Sequence, residues 1–216
     1  MQLNLLNPLL EEFKKFKITE EGQNWNFFIE IQENFNRFWD LTQEDLASMY
    51  NLAFNSMHTR RFWNREAFEP KRVMLEFFKF EPEYVKHAFR DLFDESRNIN
   101  SRIERFIFYC DEILDLFKTA FPKSNIKAHY HDKNYEIPLL YLSLKYPENY
   151  FPYDFEAFTG FLEKVGSRQL PETHDIERYY KVGKTLFPKI CDIENSPFFI
   201  VYEFYQFASG RNYPLN

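Results

Sequence analysis

The sequence predicts a mainly α-helical fold, a multi-helix bundle of two closely packed lobes with at most a small β-hairpin. Apolar residues recur at helical spacing along most of the chain, which is typical of helices with one buried face. Only 5 of the 216 residues are glycine, which argues against a turn-rich β-sandwich. The 27 Phe, 14 Tyr and 3 Trp favour thick helix–helix packing, because each ring buries a large area.

The N-terminal half of the chain is predicted to form five helices. Their apolar positions run from Leu5 to Phe16, from Trp25 to Phe38, from Leu46 to Phe54, from Pro70 onward and from Tyr84 to Phe93. Residues 42–45, Thr-Gln-Glu-Asp, resemble a capping box, so Thr42 is the predicted N-cap of the third helix. Pro70 and Pro82 are predicted in first helical turns, where the missing N–H costs nothing.

The longest predicted helix begins after residue 100. Residues 101–104, Ser-Arg-Ile-Glu, resemble a second capping box, and apolar residues then recur through Phe117 until Pro122 ends the helix. The polar segment 123–137 is where a hairpin is most expected. Residues 138–144 are predicted to be helical, although an apolar run of this length also suits a strand.

Residues 146–216 are predicted to contain an aromatic loop and three helices. Residues 146–153 include two prolines and cannot be helical throughout. Asp154 is the predicted N-cap of a helix that Gly166 ends. A further helix is predicted over residues 173–187, and the last one begins at Pro197.

The predicted organisation is one helical domain over residues 1–216. Within it we expect sub-lobes 1–121 and 138–216, joined by residues 122–137. This joining segment is too short, and too closely flanked by aromatic residues, to act as a free linker.

The overall charge argues against a dedicated nucleic-acid-binding domain. The formal net charge is -6, whereas such domains usually have a basic balance, so any DNA site must be local. No stretch approaches about 18 uninterrupted apolar residues, and the N-terminus lacks the basic region of a signal peptide. A cytoplasmic protein without a membrane partner is therefore expected.

Potential metal ligands are few in this sequence. Cys110 and Cys191 cannot form a disulfide framework or a structural zinc site by themselves, and their apolar surroundings predict buried free thiols. His129, His131 and Asp132 form the densest set of potential ligands, and in an extended segment both imidazoles would point to the same side. No second cluster completes a site, so we interpret these histidines as polar loop residues and predict no bound metal.

Catalytic motifs are incomplete. Residues 183–185, Gly-Lys-Thr, look like the end of a P-loop, but that motif needs a glycine where this chain has Arg178 and a strand where a helix is predicted. Cys110 beside a histidine would be a candidate nucleophile, yet its apolar helix face indicates a core residue. The sequence therefore predicts no catalytic residue, no cofactor and no enzymatic activity.

A basic and aromatic segment at 58–72 is the candidate binding site. Arginine and lysine neutralise phosphates, and an exposed ring can stack on an unpaired base. The alternative is a surface helix with inward rings and solvated arginines. The predicted nucleic-acid-binding residues are Arg60, Arg61, Trp63, Arg65, Lys71 and Arg72.

Two stretches carry a resemblance to a known family. The first has Leu-Phe-Asp-Glu at 92–95, at a helix end, and Arg-Ile-x-x-Phe at 102–106, at a helix start. The second has His-Tyr-His-Asp at 129–132 and Tyr-Leu-Ser-Leu-Lys-Tyr-Pro-Glu-Asn-Tyr at 141–150. Over about 60–70 residues the chain resembles the helical segment N-terminal to the AAA+ motor of McrB-like, GTP-dependent restriction proteins.

The resemblance implies a non-catalytic target-recognition or specificity module of a modification-dependent restriction or antiphage system. Such modules often select modified DNA by base flipping, while a GTPase ring and a nuclease act on it. This chain has no Walker motif and no motor. The expected partner is DNA, modified or not, bound through residues 58–72. The alternative is a protein-interaction or scaffolding module that docks a partner such as an AAA+ motor subunit and binds no nucleic acid.

Overall fold

The computed structural model describes residues 1–23, 27–56, 69–191 and 197–210, without the side chains of Phe27 and Lys133. Within these residues the regular structure is α-helical, apart from one 3₁₀ turn, and no strand occurs. The predicted mainly α fold is therefore confirmed. Segment 123–137, where a hairpin was most expected, instead forms turns, an irregular stretch, the 3₁₀ helix Lys133–Tyr135 and the first two residues of the next helix.

The helices follow the predicted order, and the short helix Glu20–Gln23 is an addition that the sequence did not predict. Their bounds are α1 Leu3–Lys17, α2 Glu20–Gln23, α3 Phe27–Phe38, α4 Leu46–Ala53, α5 Pro70–Phe80, α6 Pro82–Leu92, α7 Ile99–Ala120, α8 Glu136–Lys145, α9 Phe155–Lys164, α10 Ile176–Ile190 and α11 Ile200–Ala208.

Both predicted capping boxes are wrong. Asp45, not Thr42, caps α4, and its carboxylate accepts a hydrogen bond from the Ser48 amide at 2.9 Å. The Thr42 amide and hydroxyl instead donate to the Asp40 carboxylate, which forms a local turn that competes with helix initiation. The pKa of the Asp40 carboxyl is lowered by these two hydrogen bonds.

The longest helix, α7, begins earlier than the sequence predicts. Asn98 is its N-cap, and the Asn98 side chain accepts a hydrogen bond from the Asn100 amide at 2.8 Å. Asparagine is among the strongest N-cap residues, so it starts the helix before Ser101. The helix ends at Ala120, two residues before Pro122.

Four other predicted helix ends are confirmed, but α10 spans Ile176–Ile190 rather than 173–187, and α11 begins at Ile200, three residues after the predicted start at Pro197. Pro70 and Pro82 occupy first helical positions, and Asp154 caps α9 through a 2.9 Å bond from the Ala157 amide. Gly166 follows α9 with a φ of +61°, which only glycine adopts without strain.

The chain divides into two compact units. The first contains Met1–Phe28 and Tyr146–Asn216, and the second contains Ile29–Lys145. These bounds differ from the expected sub-lobes 1–121 and 138–216, because α1 packs with α10 and α11 at the other end of the chain. The expected joining segment, 122–137, lies inside the second unit.

Aromatic packing fills the first unit. Phe13 of α1 contacts Phe204 of α11, with ring centroids 5.2 Å apart. The loop after residue 145 is held by α10, because Tyr179 and Tyr180 donate hydrogen bonds to backbone carbonyls of that loop. Phe151 of the loop is fully buried between these tyrosines, which makes the loop an internal part of the core.

Gly183 of the P-loop-like triplet has a packing role. It lies within α10, and a Cβ added there would meet the Phe151 ring at 2.5 Å. The helical context excludes the phosphate-binding loop geometry that Gly-Lys-Thr would need.

We therefore predict that Gly183→Ala destabilises the protein. Alanine gains about 0.8–1.0 kcal/mol of helix propensity, but overpacking a full core costs typically about 1–3 kcal/mol. Urea unfolding should show a net loss of up to about 2 kcal/mol. Lys184→Ala, at the adjacent exposed position, should change stability by less than about 0.5 kcal/mol. A stabilised Gly183→Ala variant would contradict the packing role.

Candidate functional site

The second unit contains a buried cluster of chemically active side chains. Cys110 comes from the middle of α7, Tyr141 from α8 and Tyr50 from α4, and all three are fully buried. His129 and His131 come from the loop between α7 and α8, and they are also buried. The cluster lies among aromatic rings that include Phe54, Phe89 and Phe106.

The hydrogen bonds of His131 establish which group donates and which accepts in each contact of the cluster. His131 Nδ1 lies 2.7 Å from the His129 carbonyl oxygen, which can only accept, so Nδ1 carries the proton. His131 Nε2 is then an acceptor and receives a 3.0 Å bond from the Tyr141 hydroxyl. Because Tyr141 donates there, Tyr50 donates to Tyr141 at 2.7 Å. A directed chain therefore runs from Tyr50 through Tyr141 to His131.

His129 is oriented by two partners. Its Nδ1 accepts a 3.0 Å bond from the His131 amide, so its Nε2 carries the proton and donates to the Asp111 carboxylate at 3.1 Å. Asp111 is the residue after Cys110 on α7, and its side chain is 63% exposed. The carboxylate therefore links a buried imidazole to the helix surface.

Burial disfavours the charged forms of His131, Cys110 and Tyr141. Desolvation is the main cause that lowers the pKa of His131 to about 3, so its imidazole is uncharged at neutral pH. Desolvation also raises the pKa of the Cys110 thiol well above its usual value. Tyr141 likewise has a raised pKa because of its burial. A neutral thiol is a poor nucleophile, so the geometry does not form an activated Cys–His pair.

His129 and His131 lie in a loop, as the sequence predicts. Their burial was not predicted, since the two residues are only 2% and 0% exposed. Ligand atoms of Cys110, His129 and His131 all lie within 4.8 Å of one another, which the sequence did not predict. The same loop contains the positive-φ residues Tyr130 (φ 63°), Asn134 (φ 56°) and Tyr135 (φ 58°), a conformation that costs energy for side chains other than glycine.

The predicted nucleic-acid site is only partly described. Arg60, Arg61, Trp63 and Arg65 lie outside the described residues. Lys71 donates to the backbone carbonyls of Asn51 and Phe54, where it satisfies the C-terminal end of α4, and burial lowers its pKa. Arg72 pairs with Glu69. Both described cations of the basic segment are therefore engaged in contacts within the protein.

The exposed face of α7 is a second notable surface. Phe108 and Leu116 are 55% and 52% exposed, which is high for apolar residues of this size. On a helix with 3.6 residues per turn, they share a face about 140° wide with four acidic residues. These exposed acids are Glu104, Asp111, Glu112 and Asp115. We call this set of six residues the acidic–apolar face.

The cation nearest the middle of this face is already neutralised. The Arg105 Nε donates to the Asp91 carboxylate at 2.9 Å, and the same guanidinium bonds the Tyr109 hydroxyl. The interaction with Arg105 and Tyr109 lowers the pKa of Asp91 in spite of its partial desolvation. The acidic–apolar face therefore carries a local excess of negative charge.

The first unit contains a buried ion pair. Lys17 of α1 lies 2.9 Å from the Glu203 carboxylate of α11, and the side chains are 8% and 2% exposed. Desolvation raises the pKa of Glu203 to about 7, while the nearby Lys17 partly opposes the rise. The Lys17 ammonium also donates to the Gly22 carbonyl at 2.8 Å.

The predicted burial of both cysteines holds for Cys110 but not for Cys191. Cys110 is a buried free thiol as expected, but Cys191 is only partly buried. It follows the last residue of α10 as its C-cap, where the helix end leaves the side chain partly open.

Comparison of the chain with protein-family models, curated proteins and solved structures finds no match. Among the helices in the described part of the chain, none has the length and apolar composition needed to cross a membrane.

We predict that Tyr141→Phe destabilises the protein by about 1–3 kcal/mol, because the buried His131 Nε2 loses its donor and Tyr50 loses its acceptor. Chemical denaturation measures the loss. Tyr84→Phe is the matched control, because the Tyr84 hydroxyl bonds Glu112 at an exposed position and should contribute little. Equal effects of the two substitutions would contradict the importance of the buried chain.

We also predict a pH dependence from Glu203. Its folded pKa of about 7 lies above the ordinary 4.5, so the folded state binds more protons in that interval and the unfolding free energy falls as pH rises through it. At about 1.36 kcal/mol per pKa unit, the contribution is about 3 kcal/mol.

Glu203→Gln should remove this fall, whereas Glu163→Gln, at an exposed position of α9, should keep it. Unfolding free energies of the three proteins from pH 4 to pH 8 provide the comparison. If the unfolding free energy of the wild-type protein changes with pH in the same way as that of Glu203→Gln, the Glu203 carboxyl has its ordinary pKa and the prediction is wrong.

Proposed function

We propose that this protein is a non-catalytic interaction module that docks a basic partner protein through the acidic–apolar face of α7. The observation that carries the proposal is the combination of Phe108 and Leu116, both largely exposed, with four surrounding carboxylates. Burial of the two apolar side chains would supply affinity, and the carboxylates would select a cationic partner and speed its approach.

The non-catalytic part of the proposal is supported by the placement of the reactive side chains. Cys110 is wholly buried with a neutral thiol. The histidines in the described part of the chain contact neighbouring side chains of the protein: His87 bonds Tyr109, His129 bonds Asp111, His131 bonds Tyr141 and His174 bonds Tyr153. These contacts favour structural roles over general acid–base chemistry.

The biological setting of the proposal is a McrB-like restriction or antiphage system, on the strength of the sequence resemblance alone. In that setting the basic partner would be a motor or nuclease subunit that this module brings to its target. An adaptor of this kind needs a specific docking face and no active site of its own.

Target recognition on DNA is the second candidate function. The basic and aromatic cluster of residues 58–72 favours it. Against it stand the net charge of -6 and the internal contacts of Lys71 and Arg72, which leave four of the six predicted contact residues to carry the binding.

The docking proposal predicts binding of a cationic amphipathic peptide with Lys and Leu at helical spacing. Fluorescence titration should show binding that weakens with salt, and no binding of the same peptide with Glu in place of Lys. Phe108→Ser with Leu116→Ser should weaken binding at least about tenfold, since full burial of an exposed apolar side chain contributes about 1.5–3 kcal/mol and Phe108 and Leu116 are about half exposed. Leu170→Ser, at an exposed apolar position in the other unit, is the control and should bind normally.

The same preparation separates the two candidate functions. Gel shifts with unmodified and 5-methylcytosine duplexes at low salt should show no complex if docking is the function. Two results together would favour DNA recognition over docking. The first is a DNA complex that is lost when Arg60, Arg61 and Arg65 are changed to Glu. The second is peptide binding that is equally strong in the wild-type protein and in all the variants.

A further inference from the structure

We propose that one transition-metal ion that prefers thiolate ligands, such as Zn²⁺, is bound by Cys110, His129 and His131. This ion holds the loop between α7 and α8 against α7. Ligand atoms of the three residues lie within 4.8 Å of one another, and all three residues are buried. Thiolate and imidazole are ligands that zinc prefers, and three protein ligands leave one coordination position open.

The partners of the histidines support this assignment independently of the proximity. A metal-binding histidine almost always donates its second ring N–H to a carboxylate or a backbone carbonyl, which fixes its tautomer. Both histidines have such a partner: His129 Nε2–H donates to the Asp111 carboxylate and His131 Nδ1–H donates to the His129 carbonyl. Their other nitrogens, Nδ1 of His129 and Nε2 of His131, carry the lone pairs that a metal ion needs.

The approach of the ligands requires only small movements. Zinc bonds of about 2.0–2.3 Å place tetrahedral ligands about 3.5 Å apart, so two ligand atoms at the 4.8 Å limit must approach each other by about 1.3 Å. The lone pairs now accept hydrogen bonds from the His131 amide and the Tyr141 hydroxyl, and metal ligation replaces both. The Tyr141 hydroxyl, 3.0 Å from His131 Nε2, is the nearest side-chain candidate for the fourth position.

Charge balance favours a divalent cation at this position. Binding releases the Cys110 proton to solvent as the sulfur–metal bond forms, because a coordinated thiol is deprotonated. The ion and the thiolate together leave one positive charge, and the adjacent Asp111 carboxylate, which already bonds His129, offsets it. Because the three ligands are buried, the ion holds the loop in place and has no access to a substrate.

Cobalt(II) titration of the purified chain tests the proposal, because a cysteine-bound cobalt ion gives a thiolate charge-transfer band in the near ultraviolet. We expect one equivalent of Co²⁺, the band, and displacement of Co²⁺ by Zn²⁺. Cys110→Ser should abolish the band, and His131→Asn should weaken Co²⁺ binding at least tenfold. Cys191→Ser, which changes the other cysteine, is the matched control and should leave the thiolate band and the Co²⁺ affinity unchanged.

If the core variants unfold, zinc binding by the wild-type protein still tests the proposal. Zinc should raise its melting temperature in proportion to the logarithm of the free zinc concentration, since the ion binds the folded state. The absence of a thiolate band and of any zinc-dependent shift in the wild-type protein would overturn the proposal. A band that persists in a folded Cys110→Ser variant would also overturn it.

Discussion

Burial of the Tyr141 hydroxyl is the constraint on which the second unit depends. Tyr141 lies fully buried among Phe54, Phe89 and Phe106, where an unpaired hydroxyl would be costly. The chain satisfies it from two sides, with Tyr50 as donor and His131 as acceptor. These bonds join α4 to α8, which is distant from it in sequence, and join α8 to the loop that precedes it.

Buried hydrogen bonds also occur in both stretches that carry the resemblance to McrB-like proteins. In the first stretch, the buried Arg102 donates its Nε proton to the Leu92 carbonyl at 2.7 Å, which ties a helix start to the preceding helix end. In the second stretch, His131 and Tyr141 form the bond described above. The resemblance therefore rests on residues that pack against one another, and what it implies about restriction and DNA stays a proposal.

Local patterns in the sequence predicted the fold better than the site. The helices follow apolar periodicity, and the caps at Asp154 and Gly166 follow from single residues, because these signals are local. The capping box at Thr42 failed because Asp40 offers a competing partner nearby. The burial of His131 could not be predicted, since it depends on packing against Phe106 and Tyr141. Tyr141 is in turn held by Tyr50, which is 91 residues away from Tyr141.

Nitrogen NMR of the His131 imidazole tests the central claim most directly. The account predicts a neutral ring protonated at Nδ1 throughout pH 5 to 8, because burial lowers the His131 pKa to about 3 and the His129 carbonyl holds the Nδ1 proton. A ring that becomes protonated near its ordinary pKa of 6.5, or one that carries its proton on Nε2, would contradict the directed chain from Tyr50 to His131.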